Sequence, residues 1–155
     1  MTRLVIEGFE GFRGLVGVPT PPTEWLTVKQ ERVDAFAACS GDFQWIHVDV
    51  ERARASEFGG TIAHGYLTLA LIPLLWHRHF EVHGIATAIN VGLDRVRFPA
   101  PLRSGSRIRA HFRISEARQT ERGWRVVTRA TIEAENADKP VCIADTVVLY
   151  RPSRS

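Results

Sequence analysis

Three side chains capable of proton transfer, Asp42, His47 and His64, fall in the stretch SGDFQWIHVDVERARASEFGGTIAHGYLTLA, residues 40–70. Asp42 and His47 stand five residues apart. A carboxyl group and an imidazole sharing one water can take a proton from it and deliver one elsewhere. His64 is followed at once by Gly65 and by an apolar run from Tyr66 to Trp76. Titratable groups beside such a run suit a site whose ligand is largely apolar. A plainer account has Asp42 capping a turn and His47 making a surface hydrogen bond, and the spacing alone does not separate the two. His77, His79 and His83 look like a metal cluster at first sight. No carboxylate or cysteine pattern accompanies them, and imidazoles at a helix end meet the last carbonyls favourably, so no metal site is expected. Asp49 reads as a helix cap rather than a ligand.

Positioning these groups takes a folded core, and the composition supplies one. The 155 residues are 45% hydrophobic and 24% charged, an ordinary globular balance. One domain over 1–155 is expected, with an arm at 1–22 and a core at 23–150. The net charge of +3 comes largely from arginines that alternate with apolar residues, among them Arg107, Arg109, Arg113, Arg125 and Arg129. That pattern is a solvated sheet face. No basic run is interleaved with stacking aromatics, so no nucleic-acid partner is expected. A basic rim still favours the approach of a phosphate-bearing ligand. Cys39 and Cys142 form neither a disulfide framework nor a zinc motif, which fits a reducing cytoplasm. The first twelve residues lack the features of a signal peptide, and no window of 18 uninterrupted apolar residues exists to span a membrane.

Residues 4–18 alternate apolar residues with glycine and read as a short helix or an irregular arm, stopped by Pro19, Pro21 and Pro22. Glu24 to Thr27 is a short extended piece. Thr27 with Gln30 forms a capping-box pattern for a helix that ends near Cys39, where Ser40-Gly41 supplies a stop. Asp49 caps a second helix, Val50 to about Ser56. The run after Gly65 is apolar on nearly every face, which predicts a buried helix, with Pro73 causing a bend or widened turn near Leu69–Pro73. Strands follow at Ile85–Phe98, Arg107–Glu116, Trp124–Glu135 and Val141–Tyr150. Helices followed by a strand meander make the α+β class, with the apolar helix lying on the sheet.

The wording GDFQWIHVD followed by FGGTIAHGYLTLA resembles the MaoC-like (R)-specific enoyl-CoA hydratases. TEWLTVKQERVDAFA, upstream, is most similar to the nodulation-protein-N-like branch, and RFPAPLRSG (97–105) resembles the family's strand-to-loop segment. The resemblance covers roughly residues 23–150. It implies a hotdog fold, an antiparallel sheet wrapped around a central apolar helix. It implies Asp42 and His47 as the catalytic pair and Gly65, His64 and Thr68 as substrate-binding groups. Many relatives carry Asn-Pro where this chain has Gln44-Trp45. Pro73 stands where some hydratases have an assisting serine, so that assistance is absent unless Thr68 substitutes.

On that resemblance the expected reaction is reversible addition of water to a trans-2-enoyl thioester, giving the (3R)-hydroxyacyl product. The substrate is an acyl-CoA or an acyl carrier protein thioester, and no cofactor is expected. His47 is the expected base and Asp42 the group that orients water and relays the proton, though the two roles could be exchanged. The Gly65 N–H would polarise the thioester carbonyl. A hotdog thioesterase and a non-catalytic acyl-thioester-binding module are the alternatives. The resemblance and the exposed sheet edge both imply a homodimer.

Overall fold

The computed structural model describes residues 3–153; the first two residues of the expected arm lie outside them. The chain opens with strand β1 (Leu4–Glu7) and helix α1 (Gly8–Gly14). Strand β2 (Leu26–Thr27) leads into helix α2 (Gln30–Ser40) and two short helices, α3 (Trp45–Val48) and α4 (Val50–Arg54). The apolar run forms α5 (Gly65–Ala70) and α6 (Ile72–His79), followed by β3 (Phe80–His83). Four long strands complete the chain: β4 (Ile85–Arg97), β5 (Arg107–Thr120), β6 (Gly123–Ala134) and β7 (Cys142–Pro152).

The main sheet has five antiparallel strands in the order β2-β5-β6-β7-β4. Its inner face follows the period of two: Ile108, Ala110, Phe112 and Ile114 are buried on β5, while the arginines between them point outward. Register shifts in the β4–β7 and β5–β6 ladders break the flat pairing, and such bulges add the curl that wraps a sheet around a helix. Ala110, Ala130 and Ala144 are fully buried and make a shallow floor in that face. Trp76 of α6 packs beside it, edge-on to Phe112 at 5.2 Å and tilted against Phe80 at 4.2 Å.

The arm forms the expected short helix, α1, but its first residues depart from expectation. Residues 4–7 pair in parallel with 80–83, and Ile6 and Phe12 are fully buried in the same core as the sheet. Phe12 lies 4.6 Å from the Tyr150 ring. His83 accordingly sits on a strand, between Glu7 and Glu81, rather than at a helix end. His79 is buried against Phe80 and Phe112, and His77 is exposed, so the three histidines go separate ways.

The helix boundaries follow local chemistry. Asp49 caps α4 by accepting the Arg52 N–H at 3.0 Å. Gly41 ends α2 at φ 78°, a left-handed position that suits glycine. The capping box does not form: Thr27 is drawn into β2 opposite Arg107, so α2 starts at Gln30 itself, with Lys29 as an unassisted cap. The apolar run divides at Leu71, which places Pro73 in the first turn of α6, where its missing N–H costs no helical bond. This run is not buried all round. Tyr66, Ala70, Pro73 and His77 form an exposed stripe at helical spacing, while Leu67, Leu71, Leu75 and Trp76 face the core.

Among the described residues no helix is long and apolar enough to cross a membrane. Both cysteines are free thiols: Cys39 is exposed at the end of α2, and burial pushes Cys142 up to about 11.

The alanine floor should resist enlargement. Ala130→Leu is expected to lower stability by about 1–3 kcal/mol through overpacking. At about 2–4 °C per kcal/mol for a chain of this size, differential scanning calorimetry will resolve the change. An unchanged melting point would mean that the floor has room to spare.

Candidate active site

Residues 61–63 form an extended segment held from both sides. On one side the Ala63 N–H donates to Leu102 O at 2.7 Å and the Ser104 N–H to Thr61 O at 2.9 Å. On the other side the Ile62 N–H donates to Ile46 O at 2.9 Å, which docks α3. The next carbonyl, Ile62 O, lies 2.7 Å from His47 Nδ1. A carbonyl only accepts, so Nδ1 carries the hydrogen and Nε2 keeps its lone pair. His47 is 6% exposed, and burial holds its pKa below the ordinary 6.5, helped by His64 and opposed by the Ile62 bond and Asp42. The ring is thereby kept neutral near neutral pH, the state a base requires.

His64 stacks on His47 with ring centroids 3.7 Å apart, and Phe36 of α2 covers it at 5.0 Å. Its Nε2 lies 2.9 Å from the backbone carbonyl of Asp42 and by the same logic carries the hydrogen there. Its Nδ1 is buried with no partner among the described residues. His64 thus ties the loop bearing Asp42 to the start of α5. The Asp42 side chain is exposed, and its Oδ1 accepts the Gln44 N–H at 3.3 Å, fixing the tight turn after Gly41. One donor atom from each of Asp42, His47 and His64 falls within 4.8 Å of the others, close enough to share a water molecule or a cation. The expected catalytic pair, Asp42 and His47, and the expected binding or structural histidine, His64, therefore meet in space.

Gly65 begins α5, and N–H groups of a first helical turn have no acceptor within the helix. A Cβ here would meet the Phe98 ring at 3.0–3.1 Å, so glycine is what allows Phe98 to lie over the helix start. Thr68 is 1% exposed, and its hydroxyl donates to His64 O at 3.3 Å. In this arrangement Thr68 holds the helix start and does not present its hydroxyl to the cleft.

A cavity of about 300 Å³ begins one residue beyond Gly65. One wall is the exposed stripe of α5 and α6, with Leu69 and Trp76; the other is Ala88 and Leu93 of β4 with Val148 of β7. Thr128, Thr146 and Asn90 add polar groups to a mostly apolar lining. The slot opens along β4, whose residues are exposed almost throughout.

The MaoC like domain family matches residues 14–137. The chain belongs to this family. It is 47% identical over 129 residues to 3-hydroxyacyl-thioester dehydratase Z of Mycobacterium tuberculosis, covering 83% of this chain and 85% of that one. It is 39% identical over 143 residues to nodulation protein N of Rhizobium leguminosarum bv. viciae, covering 89% of each. An unliganded (R)-hydratase from Pseudomonas aeruginosa superposes with a TM-score of 0.73 at 22% identity, covering 94% of this chain and 86% of that one. The fold is therefore the hotdog, and the α+β expectation holds. Within this MaoC-like frame, sequence reasoning missed Ile62, because a backbone carbonyl leaves no mark on the side-chain pattern. It also missed the stacking of His47 on His64, which joins residues brought together only by the fold.

The buried histidines set the direction of pH dependence. His47 and His79 both have pKa values lowered by burial, so the unfolded chain binds more protons between those values and 6.5. Their contribution is present above 6.5 and is lost as the pH falls through that window. His83, raised by Glu81 and Glu7 at the surface, acts in the opposite sense above 6.5. Thermal melts should fall from pH 6.5 to 5.5, and His47→Gln should flatten the slope. Parallel slopes for the two proteins would show that His47 does not titrate this way.

Proposed function

We propose that this protein is an (R)-specific enoyl-CoA hydratase, acting reversibly as a 3-hydroxyacyl-thioester dehydratase, a lyase of fatty-acid-type metabolism. The observation that carries the reading is the His47 Nδ1–H bond to Ile62 O, which leaves the Nε2 lone pair free, in a cluster with Asp42 and His64 that directly precedes the helix lining an apolar slot. The names borne by the relatives support the same reaction.

In the hydration direction, His47 Nε2 takes a proton from a water held by Asp42, and the water oxygen bonds to the β-carbon. The displaced π electrons move to the thioester oxygen, giving an enolate that the Gly65 N–H stabilises. The enolate then collapses and takes a proton at the α-carbon, relayed from the imidazolium through the Asp42 side. The sum is one water added and both catalytic groups restored. The acyl tail lies along Leu69, Pro73 and Trp76. The carrier is coenzyme A or an acyl carrier protein, and the working compartment is the reducing cytoplasm.

We further propose a homodimer joined through β4. That strand forms the edge of the sheet, runs 13 residues, and leaves Ile89, Val91 and Leu93 39–53% exposed. Long apolar edges of this kind are normally paired or covered. A partner there would also close the open side of the slot. Sedimentation at micromolar concentration should give twice the 17.4 kDa chain mass; a species at the chain mass alone would defeat the proposal.

Loss of enoyl absorbance with crotonyl-CoA, without release of free thiol, tests the reaction and separates it from thioester cleavage and from binding alone. Asp42→Asn and His47→Gln should each lower kcat by about 10² or more. The double variant should lose little beyond the worse single one, since groups acting as a unit are non-additive. Glutamine is the better replacement because His47 is buried and stacked, so alanine would leave a cavity. The pH profile of kcat/KM should rise through a midpoint below 6.5. Folded variants working at the wild-type rate would remove the pair from the mechanism.

A further inference from the structure

The Thr27–Gln30 spacing forecast a capping box, yet the Gln30 side chain turns away from its own helix start. Its Nε2 lies 2.8 Å from His47 O and 2.7 Å from Asp34 Oδ1. Both partners only accept, so the amide nitrogen must face them and the amide oxygen must face the other way. There Oε1 accepts the Thr61 hydroxyl hydrogen at 2.5 Å. Thr61 is 5% exposed and directly precedes Ile62, the residue whose carbonyl receives the His47 Nδ1–H. The hydrogen bonds thus close a ring: Gln30 to the His47 backbone, the His47 side chain to Ile62, and Thr61 back to Gln30.

We infer that Gln30 is a positioning residue for His47, clamping both ends of the contact that selects the imidazole tautomer. The inference rests on the hydratase reading above. Gln30 touches no reacting atom. It fixes the separation between the α3 backbone and the 61–63 segment, and that separation decides whether Nδ1–H meets Ile62 O squarely. The charged and titratable groups that act on His47 are Asp42, before α3, and His64, before α5; Gln30 itself adds no charge. Asp34 accepts the second N–H of the same amide nitrogen.

The test compares wild type with Gln30→Met, Gln30→Glu, Thr61→Val and Thr61→Ser, using crotonyl-CoA kinetics and the ¹⁵N NMR of the His47 imidazole. Gln30→Met and Thr61→Val should lower kcat by about tenfold or more with KM little changed, the effect of a misplaced catalytic group. Thr61→Ser keeps the hydroxyl and should restore most of the rate. Gln30→Glu sets a carboxylate where the amide donated, so the ascending limb of its pH profile should move to higher pH. The limb of Gln30→Met should stay near its wild-type position. In the NMR spectra the Nδ1–H tautomer should dominate in wild type and mix with the other in Gln30→Met and Thr61→Val. Wild-type kcat and tautomer in both of these variants would overturn the inference, as would losses that track melting temperature alone. An inactive wild type would defeat the hydratase reading, and the tautomer comparison would still decide the role of Gln30.

Discussion

One hydrogen, the Nδ1–H that His47 donates to Ile62 O across 2.7 Å, organises the site. It decides which imidazole nitrogen is basic. The acceptor has no freedom to move, because the 61–63 segment is pinned to residues 102–104 on one side and to α3 on the other. The same segment runs directly into His64 and the start of α5. The tautomer, the stacking of the two imidazoles and the position of the helix N-terminus are therefore set by a single piece of backbone. Burial adds the remaining condition by keeping the ring neutral, and the lone exposed member, Asp42, keeps its contact with water.

The apolar half of the molecule obeys a different constraint. A helix that lined a ligand slot and also anchored a core would need two apolar faces, and the α5–α6 run has them. Leu67, Leu71 and Leu75 anchor it to the sheet, and the Tyr66–His77 stripe is left open. Small alanines in the floor let Trp76 and its neighbours settle closely on one side. The break at Leu71 makes Pro73 compatible with this arrangement by moving it to a first turn. Continuous apolarity, which in a monomeric bundle would mean complete burial, here divides between core and cavity.

Much of this was legible in the residues. Alternation located β5 to β7 within a few positions, because a half-buried strand writes its facing directly into the sequence, while β4, exposed almost throughout, was marked by the turn formers that flank it. Gly41 and Asp49 acted as their chemistry requires. Asp42, His47 and His64 stood out because titratable groups so near an apolar run are unusual, and the fold brings the three together. The strand of the arm was not legible: residues 4–7 pair with residues 80–83, and no local pattern reports a parallel partner that distant. Gln30 was misread because a capping box and a tertiary clamp use the same donor and acceptor, and only the competing β2 pairing of Thr27 decides between them. Thr68 looked available as a hydroxyl, but a buried threonine on a helix finds its own preceding carbonyl first.

The two thiols, unlike in exposure, give the chain a built-in reporter position. Cys142 is sealed in the core with its thiol pushed up to about 11, so alkylating reagents will pass it by while the fold is intact. Cys39 stands exposed on the last turn of α2, three residues before Asp42 and one turn from Phe36, which covers His64. A fluorophore attached there would sit at the lip of the site without any engineered cysteine. The labelled natural sequence could then be followed as its cleft fills and empties, and the slow appearance of a second reactive thiol would time the opening of the core.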